Sequence, residues 1–88
     1  MISKNLEVVN KNGLHTRPAA NVVKLTSKFK SEVYLVKDGM KVNGKSIIGV
    51  MTLAAEFGSF IKVIIDGDDE LDAMNKLEEL FSNGFGEL

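Results

Sequence analysis

The stretch Asn12-Gly13-Leu14-His15-Thr16-Arg17-Pro18-Ala19 decides how the rest of the chain is organised. It contains the only histidine, the only arginine and the only proline of the 88 residues. Proline is tolerated in the first turn of a helix, where an amide hydrogen has no partner within the helix. Pro18 therefore predicts that a helix begins here, after a strand-like alternation at Leu6 and Val8, with Thr16 as an acceptable N-cap residue.

His15 is accordingly expected at a helix N-terminus, where unpaired amides and the helix dipole favour anions. The positive end of the helix and Arg17 both disfavour a protonated imidazole, so His15 keeps a lone pair that can attack an electrophile. If that electrophile is a phosphoryl group, the same amides and Arg17 can receive its oxygens. The spacing alone also fits an ordinary loop or capping histidine, which is the more common case.

Hydrophobic periodicity on both sides of this stretch predicts four strands and three helices. The predicted strands are residues 2–9, 32–37, 40–43 and 60–66, and the predicted helices are residues 16–28, 47–54 and 69–82. Asp38-Gly39 predicts a two-residue hairpin turn, and Ser46 is placed to cap the second helix. Gly84 is a plausible end signal for the third helix, and we expect a loose tail from Gly86 onward.

The element order βαββαβα predicts the fold class. Strands with one apolar face and amphipathic helices indicate an α+β open-faced two-layer sandwich, in which three helices cover one face of a four-stranded antiparallel sheet. Periodicity by itself does not separate this arrangement from the ferredoxin-like βαββαβ order. A length of 88 residues predicts that positions 1–88 form one domain.

Composition narrows the function classes. A net charge of −1 argues against a nucleic-acid-binding protein. The absence of cysteine excludes disulfides and thiolate metal sites, and a single histidine makes a zinc site improbable. No apolar run approaches the roughly 20 residues that span a bilayer. We expect a cytoplasmic protein with no cofactor, no metal and no membrane insertion.

Two stretches resemble the HPr family, the histidine-containing phosphocarrier proteins of the bacterial phosphoenolpyruvate:sugar phosphotransferase system. Residues 13–19 are similar to the family's active-site signature, and residues 42–51 (Val-Asn-Gly-Lys-Ser-Ile-Ile-Gly-Val-Met) to its regulatory-serine segment. The resemblance covers nearly the whole chain and implies the HPr-like sandwich. It implies that His15 accepts a phosphoryl group from phosphorylated enzyme I, which phosphoenolpyruvate charges, and passes it to enzyme IIA proteins of sugar transporters. The protein would then be a stoichiometric carrier and not an enzyme, with Arg17 as an active-site residue.

The resemblance also implies that an ATP-dependent HPr kinase/phosphorylase phosphorylates Ser46. From the residues alone Ser46 is simply a helix cap. The alternative function is a regulatory HPr-like module that acts mainly through phosphorylated Ser46 on transcription factors or metabolic enzymes. A ferredoxin-like RNA- or ligand-binding domain is a third possibility, which the near-neutral charge and the lack of an aromatic-basic strand motif disfavour.

Residues near both sites predict a partner-binding surface on a monomeric protein. A row of residues spaced four apart on the first predicted helix begins beside His15. Lys45, next to Ser46, either attracts an acidic partner or is simply solvated. The second helix has too many apolar residues for one buried face, so Ile48 and Met51 are expected to be partly exposed, unless a small core wraps around both. Ile47 shares its side of that helix with Val50. The predicted phosphate- or partner-binding residues are Thr16, Ala20, Lys24, Lys45, Ile47, Ile48 and Met51.

Overall fold

The order of strands and helices follows the sequence prediction closely in the computed structural model, which describes residues 1–87. The strands are β1 (Ile2–Glu7), β2 (Glu32–Lys37), β3 (Met40–Asn43) and β4 (Phe60–Asp66). The helices are α1 (Thr16–Thr26), α2 (Ile47–Thr52) and α3 (Glu70–Ser82), and a short 3₁₀ turn (Gly84–Gly86) follows α3. The predicted bounds of β2, β3 and β4 are confirmed, whereas β1, α1 and α2 end two residues earlier than expected.

The sheet has the strand order β1-β4-β2-β3, and every neighbouring pair is antiparallel. Because side chains alternate across a strand, the register pairs Val33 with Ile65 and Leu35 with Val63, and all four side chains are fully buried. The opposite face meets solvent, and there the Lys41 ammonium lies 4.4 Å from the centre of the Tyr34 ring. The predicted α+β open-faced sandwich is therefore confirmed.

A single apolar cluster fills the space between the helices and the inner face of the sheet. Apolar burial of this kind supplies most of the favourable free energy of folding. The helices contribute its outer layer, and the strands its floor. The fully buried residues of largest volume are Phe81, Phe85, Leu35, Ile61, Ile65, Met74, Leu77, Val8, Val22, Val33, Val50 and Val63.

The C-terminal segment is packed, so the expectation of a loose tail is wrong for Glu87, the last described residue. Phe85 is fully buried, and its ring meets the Phe81 ring edge-on at a centroid distance of 4.7 Å. The Asn83 side-chain oxygen accepts a hydrogen bond from the Gly86 amide at 2.9 Å, which closes the turn. These contacts bring Glu87 back against the loop before α1.

The end of α2 and the start of α3 differ from the prediction by one or two residues. α2 stops at Thr52 because Ala54 has a φ of +50°, which cannot continue a right-handed helix. Asp69 occupies the N-cap position of α3, but its carboxylate does not cap that helix. It accepts hydrogen bonds from the Ser31 hydroxyl and from the amides of Lys30 and Ser31, and these bonds, the hydroxyl's foremost, lower the Asp69 pKa.

No helix within residues 1–87 combines the length and the apolar character needed to cross a membrane.

Candidate functional site

The loop that carries His15 is fixed against the segment after α2. Gly13 has a φ of +67°, and a Cβ atom there would overlap the carbonyl oxygen of Ala55. The Leu14 amide donates to that same oxygen at 2.9 Å, and the Leu14 side chain is buried. On the other side, Asn10 Nδ2 donates to the Gly13 carbonyl at 2.8 Å. Only glycine fits this close approach, and the loop that precedes His15 is held from both sides.

The N-cap residue of α1 is His15 itself, so the prediction of Thr16 as the cap is wrong. His15 has the extended backbone of an N-cap residue (φ −82°, ψ −169°), but its side chain makes no capping hydrogen bond. Thr16 is the first helical residue and Pro18 the third. The first intrahelical bond runs from the Ala19 amide to the His15 carbonyl at 3.0 Å.

Pro18 limits which backbone donors remain at this helix start. Proline has no amide hydrogen, so the amides of Thr16 and Arg17 are the ones left beside the imidazole. Within residues 1–87, neither amide takes part in a hydrogen bond. Two backbone donors and the positive end of the helix dipole therefore face the space next to His15.

Both predicted active-site side chains reach solvent. The His15 side chain is 41% exposed, and Arg17 is exposed on the first turn of α1. His15 borders a shallow cavity of about 520 Å³, whose other wall is the segment 54–57. Arg17 borders a second cavity together with Glu87, and Lys11 lines both cavities. A group held by a partner protein can therefore reach the imidazole.

Glu87 lies beside His15, a contact that the sequence analysis did not predict. Its carboxylate oxygens lie 3.1 and 3.2 Å from Nε2 of His15, and Asn10 Nδ2 donates to one of them at 3.0 Å. The Asn10 hydrogen bond first, and then His15 and the nearby Arg17 charge, lower the Glu87 pKa. The aromatic Phe85 was the one sequence signal that the C-terminal segment packs against the core. Nothing in the sequence indicates which residue Glu87 contacts.

Ser46 forms a second site with a different local structure. It is the N-cap residue of α2, and its Oγ accepts a hydrogen bond from the Gly49 amide at 3.1 Å. The predicted capping role is confirmed. The neighbouring Lys45 is half-buried, and its ammonium donates to the Phe29 carbonyl at 2.7 Å. Lys45 is thus tied to the fold as well as charged.

The α2 patch, which we define as Ile47, Ile48 and Met51, is an apolar surface next to Ser46. Ile48 is 79% exposed and Met51 39%, so the core does not wrap around both. Ile47 is 41% exposed although Val50, on the same side of α2, is fully buried. Exposed apolar groups of this size are typical of contact surfaces, and the partner-binding role of the patch stays a prediction.

The row that starts beside His15 lies along the outer side of α1. Thr16 and Lys24 are exposed, and Ala20 between them is half-buried. Their role in binding phosphate or a partner stays a prediction. Among the described residues, no group of three or more histidine, cysteine, aspartate or glutamate side chains could hold a metal ion.

Known proteins match this chain over nearly its full length. The family model described as "PTS HPr component phosphorylation site" matches residues 2–83. The phosphocarrier protein HPr of Xylella fastidiosa (strain Temecula1) is 52% identical over 87 residues, which cover 99% of this chain and 98% of that protein.

Solved structures agree with these sequence matches. A crystal structure of HPr from Thermoanaerobacter tengcongensis superposes with a TM-score of 0.95 at 44% identity, covering 100% of this chain and 99% of the other. The Bacillus subtilis catabolite repression protein Crh, whose crystal structure is described as a domain-swapped dimer, gives a TM-score of 0.76 at 43% identity over 96% of this chain and 97% of Crh. The HPr-like arrangement, and not the ferredoxin-like one, is thus the fold of this chain. The chain belongs to the HPr family of phosphocarrier proteins.

Proposed function

We propose that this chain carries a phosphoryl group on His15, accepts it from phosphorylated enzyme I and passes it to enzyme IIA proteins of sugar transporters. Phosphoenolpyruvate is the source of the group. The whole chain acts as one domain, a monomeric and cytoplasmic relay that is consumed and regenerated in stoichiometric amounts and needs no cofactor. Membership of the HPr family supports the carrier role.

The observation that carries this proposal is the open N-terminus of α1 beside an exposed imidazole. Within the described residues 1–87, the amides of Thr16 and Arg17 make no hydrogen bond, and the Arg17 side chain on the same turn is exposed. Each such interaction with an anion at a helix start is worth about 0.3–1 kcal/mol. This moderate stabilisation suits a carrier, because a phosphoryl group bound more tightly would not be passed on.

Incubation with phosphoenolpyruvate and enzyme I tests the proposal directly. The mass of the protein should rise by one phosphoryl group, and the group should survive alkali but be lost in acid, as expected for a phosphohistidine. The His15→Ala variant is the matched control and should keep its fold, since His15 is exposed. Acid-labile phosphate in that variant would end the proposal.

Docking of partners would use the exposed row of α1 and the α2 patch together. Thr16, Ala20 and Lys24 begin beside the accepting imidazole, while Lys45 adds positive charge next to the α2 patch. An apolar contact surrounded by positive charge is complementary to an acidic partner surface with an apolar centre. Enzyme I and enzyme IIA proteins would then share this surface and bind in turn.

A second role, regulation through phosphorylated Ser46, is favoured by the similarity to Crh, which is described as a catabolite repression protein. HPr kinase/phosphorylase would modify the Ser46 hydroxyl, and a transcriptional regulator would bind the product. Incubation with ATP and that kinase should yield acid-stable phosphate, which Ser46→Ala should abolish. Since the Crh crystal structure is a dimer, sedimentation of this protein with and without Ser46 phosphate tests the monomer at the same time.

A further inference from the structure

We propose that Met51 is a site of reversible oxidation by hydrogen peroxide, and that its sulfoxide weakens the docking of partner proteins on the α2 patch. This inference rests on the proposed docking role of that patch. It adds a modification site that is chemically distinct from both His15 and Ser46.

The sulfur chemistry of this chain belongs to methionine alone. Cysteine and methionine are the two side chains whose sulfur a peroxide oxidises. The 88 residues contain four methionines and no cysteine. Hydrogen peroxide that reaches this protein therefore meets no thiol, and its targets are the thioethers that solvent can reach.

Burial separates the four methionines into two classes. Met74 belongs to the core and is 1% exposed. Met51 is 39% exposed, Met40 45% and Met1 80%. Because peroxide must reach the sulfur, the folded protein should be oxidised at these three residues and spared at Met74. The modification therefore leaves the core intact.

Of the three accessible methionines, only Met51 belongs to the α2 patch. Met1 precedes β1, and Met40 is the first residue of β3, next to the hairpin turn. Met51 follows Ile47 by four positions and Ile48 by three. On a helix this spacing makes the three side chains neighbours, so an oxygen added to Met51 is placed directly beside two exposed isoleucines.

The reaction balances with one molecule of hydrogen peroxide for each thioether. The sulfur lone pair forms a bond to one peroxide oxygen, the O–O bond breaks, and the second oxygen leaves as water after it takes up a proton. Sulfur is oxidised by two electrons, and the peroxide is reduced by the same number. Methionine sulfoxide reductases reverse the step. Their dithiol reductant becomes a disulfide, and the sulfoxide oxygen leaves as water.

Oxidation makes the apolar α2 patch polar at one point. A sulfoxide oxygen accepts hydrogen bonds from water, and it loses them when an apolar partner surface covers it. An acceptor left unpaired in this way should weaken docking about tenfold, which corresponds to about 1.4 kcal/mol. α2 should stay folded, because the Met51 side chain reaches solvent and its carbonyl still accepts from the Ala54 amide at 3.0 Å.

Treatment of the folded protein with hydrogen peroxide, followed by peptide mass mapping, tests the site. Met51 and Met40 should each gain one oxygen, and Met74 should gain none. Affinity for enzyme I, titrated without phosphoenolpyruvate, and the rate of phosphoryl transfer should both fall about tenfold in the oxidised protein. Methionine sulfoxide reductases A and B, supplied with a dithiol, should restore both.

Met40 provides the matched control, because it is about as exposed as Met51 and lies outside the α2 patch. Met40→Leu should lose affinity on oxidation just as the parent does. In Met51→Leu the ratio of the affinities before and after peroxide should stay close to one, whatever the affinity of the untreated variant. Melting temperatures of the oxidised proteins check that each remains folded.

Four results would overturn the proposal. Met51 is not oxidised in the folded protein, the oxidised parent binds enzyme I as tightly as the untreated parent, Met51→Leu loses as much affinity as the parent, or the loss of affinity is accompanied by unfolding. Failure of the proposed function is distinguishable from these. In that case the untreated parent takes up no acid-labile phosphate from phosphoenolpyruvate and enzyme I, and the role of Met51 falls with it.

Discussion

The starts of α1 and α2 are built from different parts. At α2 the Ser46 side chain accepts a hydrogen bond from the Gly49 amide, so one of the free donors of the helix is satisfied by the chain itself. At α1 the N-cap residue is a histidine whose side chain makes no capping hydrogen bond and instead lies 3.1 Å from a Glu87 carboxylate oxygen. The start of α1 is therefore left open, and the start of α2 is closed.

The two helix starts therefore differ in what they offer to an incoming anion. A closed start gains stability from its cap, typically about 1 kcal/mol. An open start forgoes that stability and keeps its amides available for an incoming anion. Phosphate at the closed start must displace or supplement a cap that already works, whereas phosphate at the open start supplies a partner that is missing.

Conversion of the open start of α1 into a closed one should have the largest effect on stability and on phosphoryl transfer. The extended backbone at His15 suits a serine cap, so His15→Ser should be more stable than the matched His15→Ala by about 0.5–2 kcal/mol. Both variants should lose acid-labile labelling completely. Denaturant unfolding and mass measurement after incubation with enzyme I check the two outcomes. Equal stabilities of the two variants would mean that the Arg17 amide is not available to a cap.

Removal of the Arg17 guanidinium from the start of α1 should have the next largest effect on the rate of transfer. Because Arg17 is exposed, Arg17→Ala should change the free energy of unfolding by less than about 0.5 kcal/mol. A charge-assisted contact to phosphate is worth roughly 1.5–3 kcal/mol, which predicts a loss of one to two decades in the rate of transfer. Lys62→Ala, on the open face of the sheet, is the control for loss of one positive charge. If Arg17→Ala transfers at the parental rate, Arg17 does not bind the phosphoryl group during transfer.

A charge added to the closed start should give the smallest effect. Ser46→Asp keeps a cap and should leave α2 folded, because a negative charge is favoured at a helix start. The new charge beside the α2 patch should repel an acidic partner and slow transfer about two- to fivefold, which is the size expected of an exposed charge pair. Stopped-flow transfer from enzyme I at low and high salt measures this slowdown.

Ser46→Ala is the matched variant for this measurement. It should lose about 1 kcal/mol of stability with the cap and transfer almost normally. A Ser46→Asp protein that transfers as fast as the parent would refute repulsion as the cause of regulation. A slowdown that persists unchanged at high salt would assign the inhibition to desolvation or steric exclusion, since salt screens exposed charges.

Much of the fold follows from local chemistry that a sequence reveals. Alternation and turn residues located β2, β3 and β4 correctly, and Asp38-Gly39 makes the expected tight turn, with positive φ at both residues. Where the prediction failed, distant contacts override the local signal. α2 ends early because the chain after it turns back to meet the loop before His15, and Ala54 takes up a left-handed conformation in that turn.

The residues of the candidate site also divide into those that a local sequence signal marks and those that a distant contact places. His15, Arg17 and Ser46 were predicted as site residues because each lies at a helix start that the sequence marks, and the structure places all three there. Glu87 was missed because its position depends on Phe85 packing against Phe81, a contact between side chains that periodicity does not encode. The cap of α1 was misassigned because Thr16 is a common cap residue, while the backbone turns one residue earlier.

Pro18 has a thermodynamic consequence for any phosphoryl group bound at the start of α1. A phosphoryl group exposes three oxygens, and a proline at the third helical position withholds one of the amides that could meet them. The phosphoryl oxygens that no amide meets must accept hydrogen bonds from water or from a partner's side chains. On the proposed function, the group would therefore keep a high transfer potential on His15, and whichever protein completes its coordination would gain the free energy that draws it away.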